Sequence, residues 1–168
     1  KKSVLLIDLD PQASAVMWYD QRTQKNITTI AIPATRLENA ISAAERNADI
    51  LIIDTPPHSE NTSLSAVRNS DFALIPCKTS ILDLKAIKLT LDLLKITNKK
   101  GYVVLNSVQN RSTLLKETKE ALRALNIDLC PCFLSQRTAF VKALTNGFGI
   151  AEFENNGKAS QEFKRLFQ

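Results

Sequence analysis

Glycine is scarce in this chain. There are four in 168 residues, Gly101, Gly147, Gly149 and Gly157, and all lie in the second half. None stands in a GxxxxGK[ST] frame, so these residues contain no glycine-rich phosphate cradle. No apolar run approaches the 18 or more residues of a bilayer-spanning helix, and Lys1 opens no signal-peptide pattern. A cytoplasmic protein is the resulting expectation. The three cysteines are an odd number whose spacing fits neither a disulfide framework nor a zinc site. Cys130 and Cys132 flank Pro131 without a second ligand pair, and Cys77 closes an apolar strand, so all three read as core thiols. The lone histidine, His58, makes a weak catalytic argument and reads as a surface or switch-loop residue. Aromatics are few and do not interleave with basic residues, which argues against base stacking.

What is present is a regular alternation of strand and helix patterns. Strands are predicted at Val4 to Leu9, Ile27 to Ile32, Ile50 to Asp54, Phe72 to Pro76, Tyr102 to Asn106 and Leu129 to Phe133. Between and after them, helices are predicted from Pro11 through Arg22, after a Thr35 cap, at Asn61 to Arg68, Leu82 to Ile96, Thr113 to Leu125, Thr138 to Thr145 and Ala159 to Phe167. Leu82 to Ile96 reads as strongly amphipathic, and Phe140, Val141 and Leu144 read as core. The alternation implies a doubly wound α/β fold, a mostly parallel sheet with helices on both faces. With 44% hydrophobic and 23% charged residues, residues 1–168 are expected to form one domain.

Two of the strands end in an acidic, proline-containing turn: VLLIDLDPQ (Val4 to Gln12) and ILIIDTPPH (Ile50 to His58). In a parallel sheet, ligands bind outside the carboxyl ends of the strands, so Asp8, Asp10 and Asp54 are expected on one edge. An apolar strand that stops on aspartate, with proline turning the chain away, puts a carboxylate where hydrated Mg²⁺ can be held. Any one of these aspartates alone also reads as a turn former or helix cap.

The DLDPQ and IIDTPP blocks, with LIPCKTSILDLKA (Leu74 to Ala86), VVLNSVQNR (Val103 to Arg111) and QRTAFVKALTNGFGIAEF (Gln136 to Phe153), resemble the ParA/MinD family of deviant Walker ATPases, in particular the small plasmid-partition ParA type. The resemblance covers nearly the whole chain. It implies a P-loop NTPase-like fold, with ATP and Mg²⁺ as cofactors. By resemblance, Asp54 is the Walker B carboxylate that holds Mg²⁺ through water, Asp8 supports the same metal shell, and Asp10 orients or activates the attacking water. Pro56 and Pro57 match switch II, Asn106 matches the adenine-contacting position, and Arg137 with the backbone of Ser135 and Gln136 matches a second base-contacting segment. As non-family readings, Pro56 and Pro57 are a rigid turn, Asn106 a strand-end turn residue and Arg137 a surface arginine. Members of the family begin with a strand and P-loop that are absent here. Together with the lack of Met at position 1, this leads to the expectation that a strand, loop and helix of about 30 to 40 residues precede Lys1. In folds of this type that strand lies beside the one ending in Asp54, and losing it would leave apolar edges unpaired.

The net charge of +5, from 22 Lys and Arg against 17 Asp and Glu, suggests a polyanion partner. Arg111, Lys116, Lys119, Arg123, Arg137, Lys142, Lys158, Lys164 and Arg165 all fall in the last third and read either as a DNA-facing surface or as solvated helix faces. The resemblance implies a nucleotide-dependent homodimer that binds nonspecific DNA, associates with the bacterial nucleoid, and is stimulated by a centromere-binding, ParB-like adaptor to segregate plasmids or chromosomes. Two alternatives stand beside it. One is a P-loop-free DNA- or protein-interaction module without hydrolysis. The other is a MinD-like membrane-associated ATPase, suggested by Phe163, Leu166 and Phe167 among Lys158, Lys164 and Arg165 in the last helix, although packing on the sheet is the favoured reading of that helix.

Overall fold

The computed structural model describes residues 2–57, 59–109, 113–125 and 127–167; the expectations for His58 and Arg111 lie outside them. The chain divides into two compact units, Lys1–Ser70 and Asp71–Gln168, each an α/β unit with a three-stranded parallel sheet and flanking helices.

In the first unit, β1 (Val4–Asp8) lies between β2 (Thr28–Ala31) and β3 (Ile50–Asp54). β1 pairs on both sides, and Ile7 at its centre is fully buried. Helices α1 (Ser14–Asp20) and α2 (Leu37–Ala44) supply the crossovers that parallel pairing requires, and α3 (Glu60–Arg68) follows β3. The core joins Ile7 and Leu9 to Leu37 and Ala66, with Leu5, Ile30, Ile32, Ala40, Ile41 and Ile53 packed against them. Thr35 does not cap α2. It falls in a 3₁₀ turn, Ala34–Arg36, that leads straight into the helix, and no side chain caps the join.

In the second unit the order is β4 (Phe72–Cys77), β5 (Lys100–Val108), β6 (Leu129–Ser135), with β5 central. Its Val103, Leu105 and Val108 are buried, as is Leu122 on α5 (Leu114–Ala124). Pro131 cannot donate to a ladder, and it lies in edge strand β6 where the pairing slips between Val103↔Leu129 and Leu105↔Phe133. The chain closes with α6 (Thr138–Thr145), a one-turn α7 (Ile150–Phe153) that the sequence pattern did not anticipate, and α8 (Lys158–Lys164) followed by a 3₁₀ turn. Gly147 ends α6 in the left-handed conformation (φ 69°), which lets the Phe148 N–H reach back to the Ala143 carbonyl.

Two expectations about apolar faces are corrected. Val141 and Leu144 are exposed rather than core; only Phe140 of that trio packs inward, with Ala143, Ile150 and Ala159. Helix α4 (Ile81–Thr97) is not amphipathic but apolar on two faces. Ile87 and Leu94 are buried, while Leu82, Leu89 and Ile96 are exposed. Each sheet also has an apolar edge open among the described residues. β3 exposes Ile50 and Ile52, and β4 exposes Phe72 and Leu74.

Candidate nucleotide and metal site

Parallel register sets the geometry of the acids. Asp8 and Asp54 are direct partners at the carboxyl ends of β1 and β3, and the Leu9 N–H continues the ladder to the Asp54 carbonyl at 3.0 Å. Asp10 follows two residues later, so all three sequence-predicted acids belong to one strand-end region. They are not equivalent.

Asp8 is fully buried and uses both carboxylate oxygens. Oδ1 accepts from the Asp10 N–H and Oδ2 from the Ala15 N–H, each at 2.9 Å. Ala15 is in the first turn of α1, whose N-cap residue, Ala13, has no side chain able to cap and sits in the left-handed region at φ 51°. Asp8 therefore caps α1 from a distance, satisfying an N–H that the helix leaves without a partner and placing negative charge at its N-terminus. Asp10 is half-buried in an Asx turn. Its Oδ1 accepts from the Gln12 N–H at 2.9 Å, and its carbonyl accepts from the Ala13 N–H. Asp54 is exposed at the end of its strand, followed by half-buried Pro56 and exposed Pro57. Although the residue as a whole is exposed, its carboxyl group sits close enough to the strand ends to be partly desolvated. That desolvation, followed by the charges of Asp8 and then Asp10, pushes its pKa above the ordinary value against the opposing hydrogen bond from the Thr55 N–H. A carboxylate whose pKa is raised by neighbouring acids favours a nearby cation.

Among the described residues, no three acidic, histidine or cysteine side chains converge as a ready-made metal cage. Mg²⁺ does not need one, since it keeps several waters and takes one or two carboxylates plus substrate phosphates. Asp54 fits that demand by position and electrostatics. Asp8, spent on two backbone donors, fits as the residue that fixes the turn.

In the second unit, Asn106 is half-buried within β5, not at its end. The pairs Leu105↔Phe133 and Val108↔Ser135 bracket Asn106 and Ser107 on one strand against Leu134 on the other, which is a β-bulge. Ser107 is left-handed (φ 53°), and its N–H donates to Asn106 Oδ1 at 2.8 Å. Such strained bulges re-aim side chains, and they concentrate at functional sites.

Arg137 is not a free surface arginine. Its Nε donates to Glu162 Oε2 at 3.2 Å and its terminal nitrogen to Oε1 at 2.5 Å. The Ser135 N–H and hydroxyl donate to the same carboxylate at 3.0 and 2.9 Å. Glu162, on α8, was missed in the sequence and ties the turn after β6 to the last helix. Burial opposes its charge, but the hydrogen bonds from Arg137 and Ser135 and the guanidinium charge hold its pKa below the ordinary 4.5. Its contribution to stability is therefore complete above 4.5 and lost as pH falls through the lower folded-state value. Glu162→Gln is expected to cost about 2 kcal/mol, or roughly 4 to 8 °C in melting temperature, at pH 7. The deficit should shrink in melts taken below pH 4; an equal deficit at both pH values would contradict the charged pairing.

The remaining basic residues divide. Lys116 pairs with Glu120, Lys119 lies over the Phe133 ring, and Lys164 donates to Asn155, whereas Arg123, Lys142, Lys158 and Arg165 are exposed. Helix α8 turns Ala159, Ser160 and Phe163 inward, so most of its apolar side is occupied by the core. No helix among the described residues is long and apolar enough to cross a membrane. Cys77 is buried, and burial followed by the nearby Asp83 charge pushes its thiol up to about 11. Against an ordinary thiol at 9.0, that leaves about a hundredfold less thiolate. Iodoacetamide at pH 8 is expected to label Cys77 last of the three cysteines, as read by peptide mass spectrometry.

The family model for ATPase MipZ matches residues 6–124, a span that holds all three acids and Asn106. The chain belongs to the MipZ ATPase family. It is thus a ParA/MinD-type deviant Walker ATPase in family and fold, as the five sequence blocks indicated. Among curated relatives, the maintenance of carboxysome distribution protein A of Halothiobacillus neapolitanus is 22% identical over 166 residues, covering 94% of this chain and 77% of that protein. Two solved structures share the fold. The ATP complex of an aspartate-to-alanine variant of Cyanothece McdA has a TM-score of 0.79 at 16% identity, covering 99% of this chain and 83% of that one. MinD with Mg-ADP from Pyrococcus horikoshii has a TM-score of 0.73 at 15% identity, covering 98% and 82%. Arg137 and Glu162 lie outside the span matched by the MipZ family model.

Proposed function

We propose that this chain is the core of a ParA-type positioning ATPase that binds ATP with Mg²⁺ and moves cargo over DNA. The observation that carries this reading is the pairing of Asp8 with Asp54 at adjacent strand ends, with Asp10 held in the following turn. In this reading Asp54 holds the Mg²⁺ water shell, and Asp8 supports it by fixing the turn. Mg²⁺, when bound, neutralises charge developing on the transferred phosphoryl group. Asp10 uses one carboxylate oxygen in its own turn and presents the other to a water, which it orients or deprotonates. Pro56 stiffens the segment that responds to the γ-phosphate. In the second unit, Asn106 offers both a donor and an acceptor to adenine, while Arg137 serves the base by holding the Ser135–Gln136 backbone in place.

Nucleotide-dependent dimerisation and nonspecific DNA binding complete the proposed cycle, with Arg123, Lys142, Lys158 and Arg165 as the exposed cations available to phosphates. A ParB-like adaptor bound at a centromere would trigger release, with plasmid or chromosome as cargo. The carboxysome-distribution relatives support a second cargo, a protein-bodied organelle positioned by the same cycle. The decisive experiment is DNA binding by the intact polypeptide with and without Mg-ATP, over a salt series. The proposal expects binding that appears with ATP and weakens steeply with salt. Binding indifferent to ATP would instead assign the chain to an interaction module without hydrolysis.

A further inference from the structure

The two cysteines of β6 have no role in the nucleotide reading. Only Cys77 of the three cysteines is buried; Cys130 and Cys132 are half-buried, on either side of exposed Pro131. The pairing with β5 bends this stretch. Val103↔Leu129 and Leu105↔Phe133 are neighbouring pairs in the ladder, so two residue steps of β5 face four of β6. Two steps cover about 6.6 Å, whereas four would cover about 13 Å in a straight strand. Cys130, Pro131 and Cys132 therefore bow out of the ladder between Leu129 and Phe133, a bulge that proline, with no N–H to pair, favours. Exposed Pro131 is the tip of the bow, and the two cysteines are its legs.

A bow of this size brings its legs together. Residues two apart in a straight strand already lie about 6.6 Å apart at Cα, near the upper limit for a disulfide, and bending shortens that distance. The two thiols sense each other: desolvation and then the Cys132 charge raise the pKa of Cys130 above the ordinary 9.0. Two competing fates are closed among the described residues. No group of three metal-ligating side chains includes the pair, so a four-coordinate zinc site is not formed. Cys77 pairs with Leu105 across β4 and β5, and Leu105 with Phe133 across β5 and β6, so a whole strand separates Cys77 from the pair, about 9.5 Å. We propose that Cys130 and Cys132 form a reversible intramolecular disulfide, a redox-modification site whose oxidant is a small-molecule disulfide such as glutathione disulfide. One cysteine thiolate attacks glutathione disulfide, forming a mixed disulfide and releasing one glutathione. The other attacks the protein sulfur of that mixed disulfide and releases the second glutathione. One protein S–S bond forms, glutathione disulfide is reduced to two thiols, and the two protein thiol protons end on them.

The test exposes the reduced intact polypeptide to glutathione disulfide, natively and in urea, and reads the products by intact and peptide mass spectrometry. Natively, the expected product is lighter by about 2 Da, the two hydrogens lost, in the peptide that holds both cysteines, with Cys77 still free to alkylate after unfolding. Cys130→Ser and Cys132→Ser should each gain about 305 Da instead, one glutathione trapped as a mixed disulfide because no second thiol displaces it. The readout on the unsubstituted chain stands whether or not either variant folds. The ratio of paired to glutathione-capped cysteines is expected to be at least about tenfold higher natively than in urea, because the bow supplies the closeness. Fresh reduced glutathione should restore the original mass, as it does for a labile disulfide. Glutathione adducts without the paired product, a pair that includes Cys77, or disulfide-linked dimers would each overturn the proposal. So would an equal ratio in urea, or a product that resists reduced glutathione.

Discussion

Replacing Asp10 by alanine is expected to lower ATP turnover by the intact polypeptide by about 100-fold or more, while Mg-ATP affinity changes by less than about threefold. The side chain contributes one local bond, to the Gln12 N–H, and the turn itself is also closed by the backbone bond from Ala13 to the Asp10 carbonyl. The strand end and Asp54 should therefore keep their places, and what is lost is the carboxylate proposed to act on water. Single-turnover hydrolysis measured beside equilibrium nucleotide binding separates the two effects. Turnover near the wild-type rate would remove Asp10 from the reaction, and affinity lost in parallel with turnover would make it a binding residue.

Asp8→Ala is expected to act in another way, by destabilising the first unit by about 3 kcal/mol, or roughly 6 to 12 °C in melting temperature. The substitution strips the acceptors from two backbone donors, the N–H groups of Asp10 and Ala15, at a fully buried position. It also uncaps α1, which has no cap of its own. Asp8→Asn keeps one acceptor and should cost about half as much. Urea unfolding of both variants beside Asp10→Ala checks the ranking. If Asp10→Ala were the most destabilised of the three, the assignment of Asp8 to the fold and Asp10 to the chemistry would be reversed.

The different settings of these two acids, two residues apart, were only half legible in the sequence. The DLDPQ block marked both as strand-end carboxylates, and parallel register delivered the expected pairing with Asp54. That Asp8 caps α1 was hidden, because Ala13 and Ala15 carry no capping signal and the bond exists only once the turn has formed. The six strands were readable because their apolar runs end on turn residues, and bounds moved by one or two residues at most ends. The bulge at Asn106 and Ser107 was not readable, since a serine in the left-handed region has no local sequence signature. Glu162 escaped for a similar reason: its partners, Ser135 and Arg137, lie 27 and 25 residues away. In α4 the periodicity was visible, but two apolar rows on one helix read as a single strong stripe until burial separated them.

The unequal pairing of the strands has a consequence for how the first unit opens. β1 is hydrogen-bonded on both sides, whereas among the described residues β3 is bonded on one side only. Amides of β1 are therefore expected to be among the slowest in the unit to exchange with deuterium, and β3 to yield first in sub-global openings. Asp8 and Asp10 hang from the protected strand, and Asp54 from the yielding one. Two of the three acids are thus anchored to the most persistent part of the unit and the third to a part that can loosen without global unfolding.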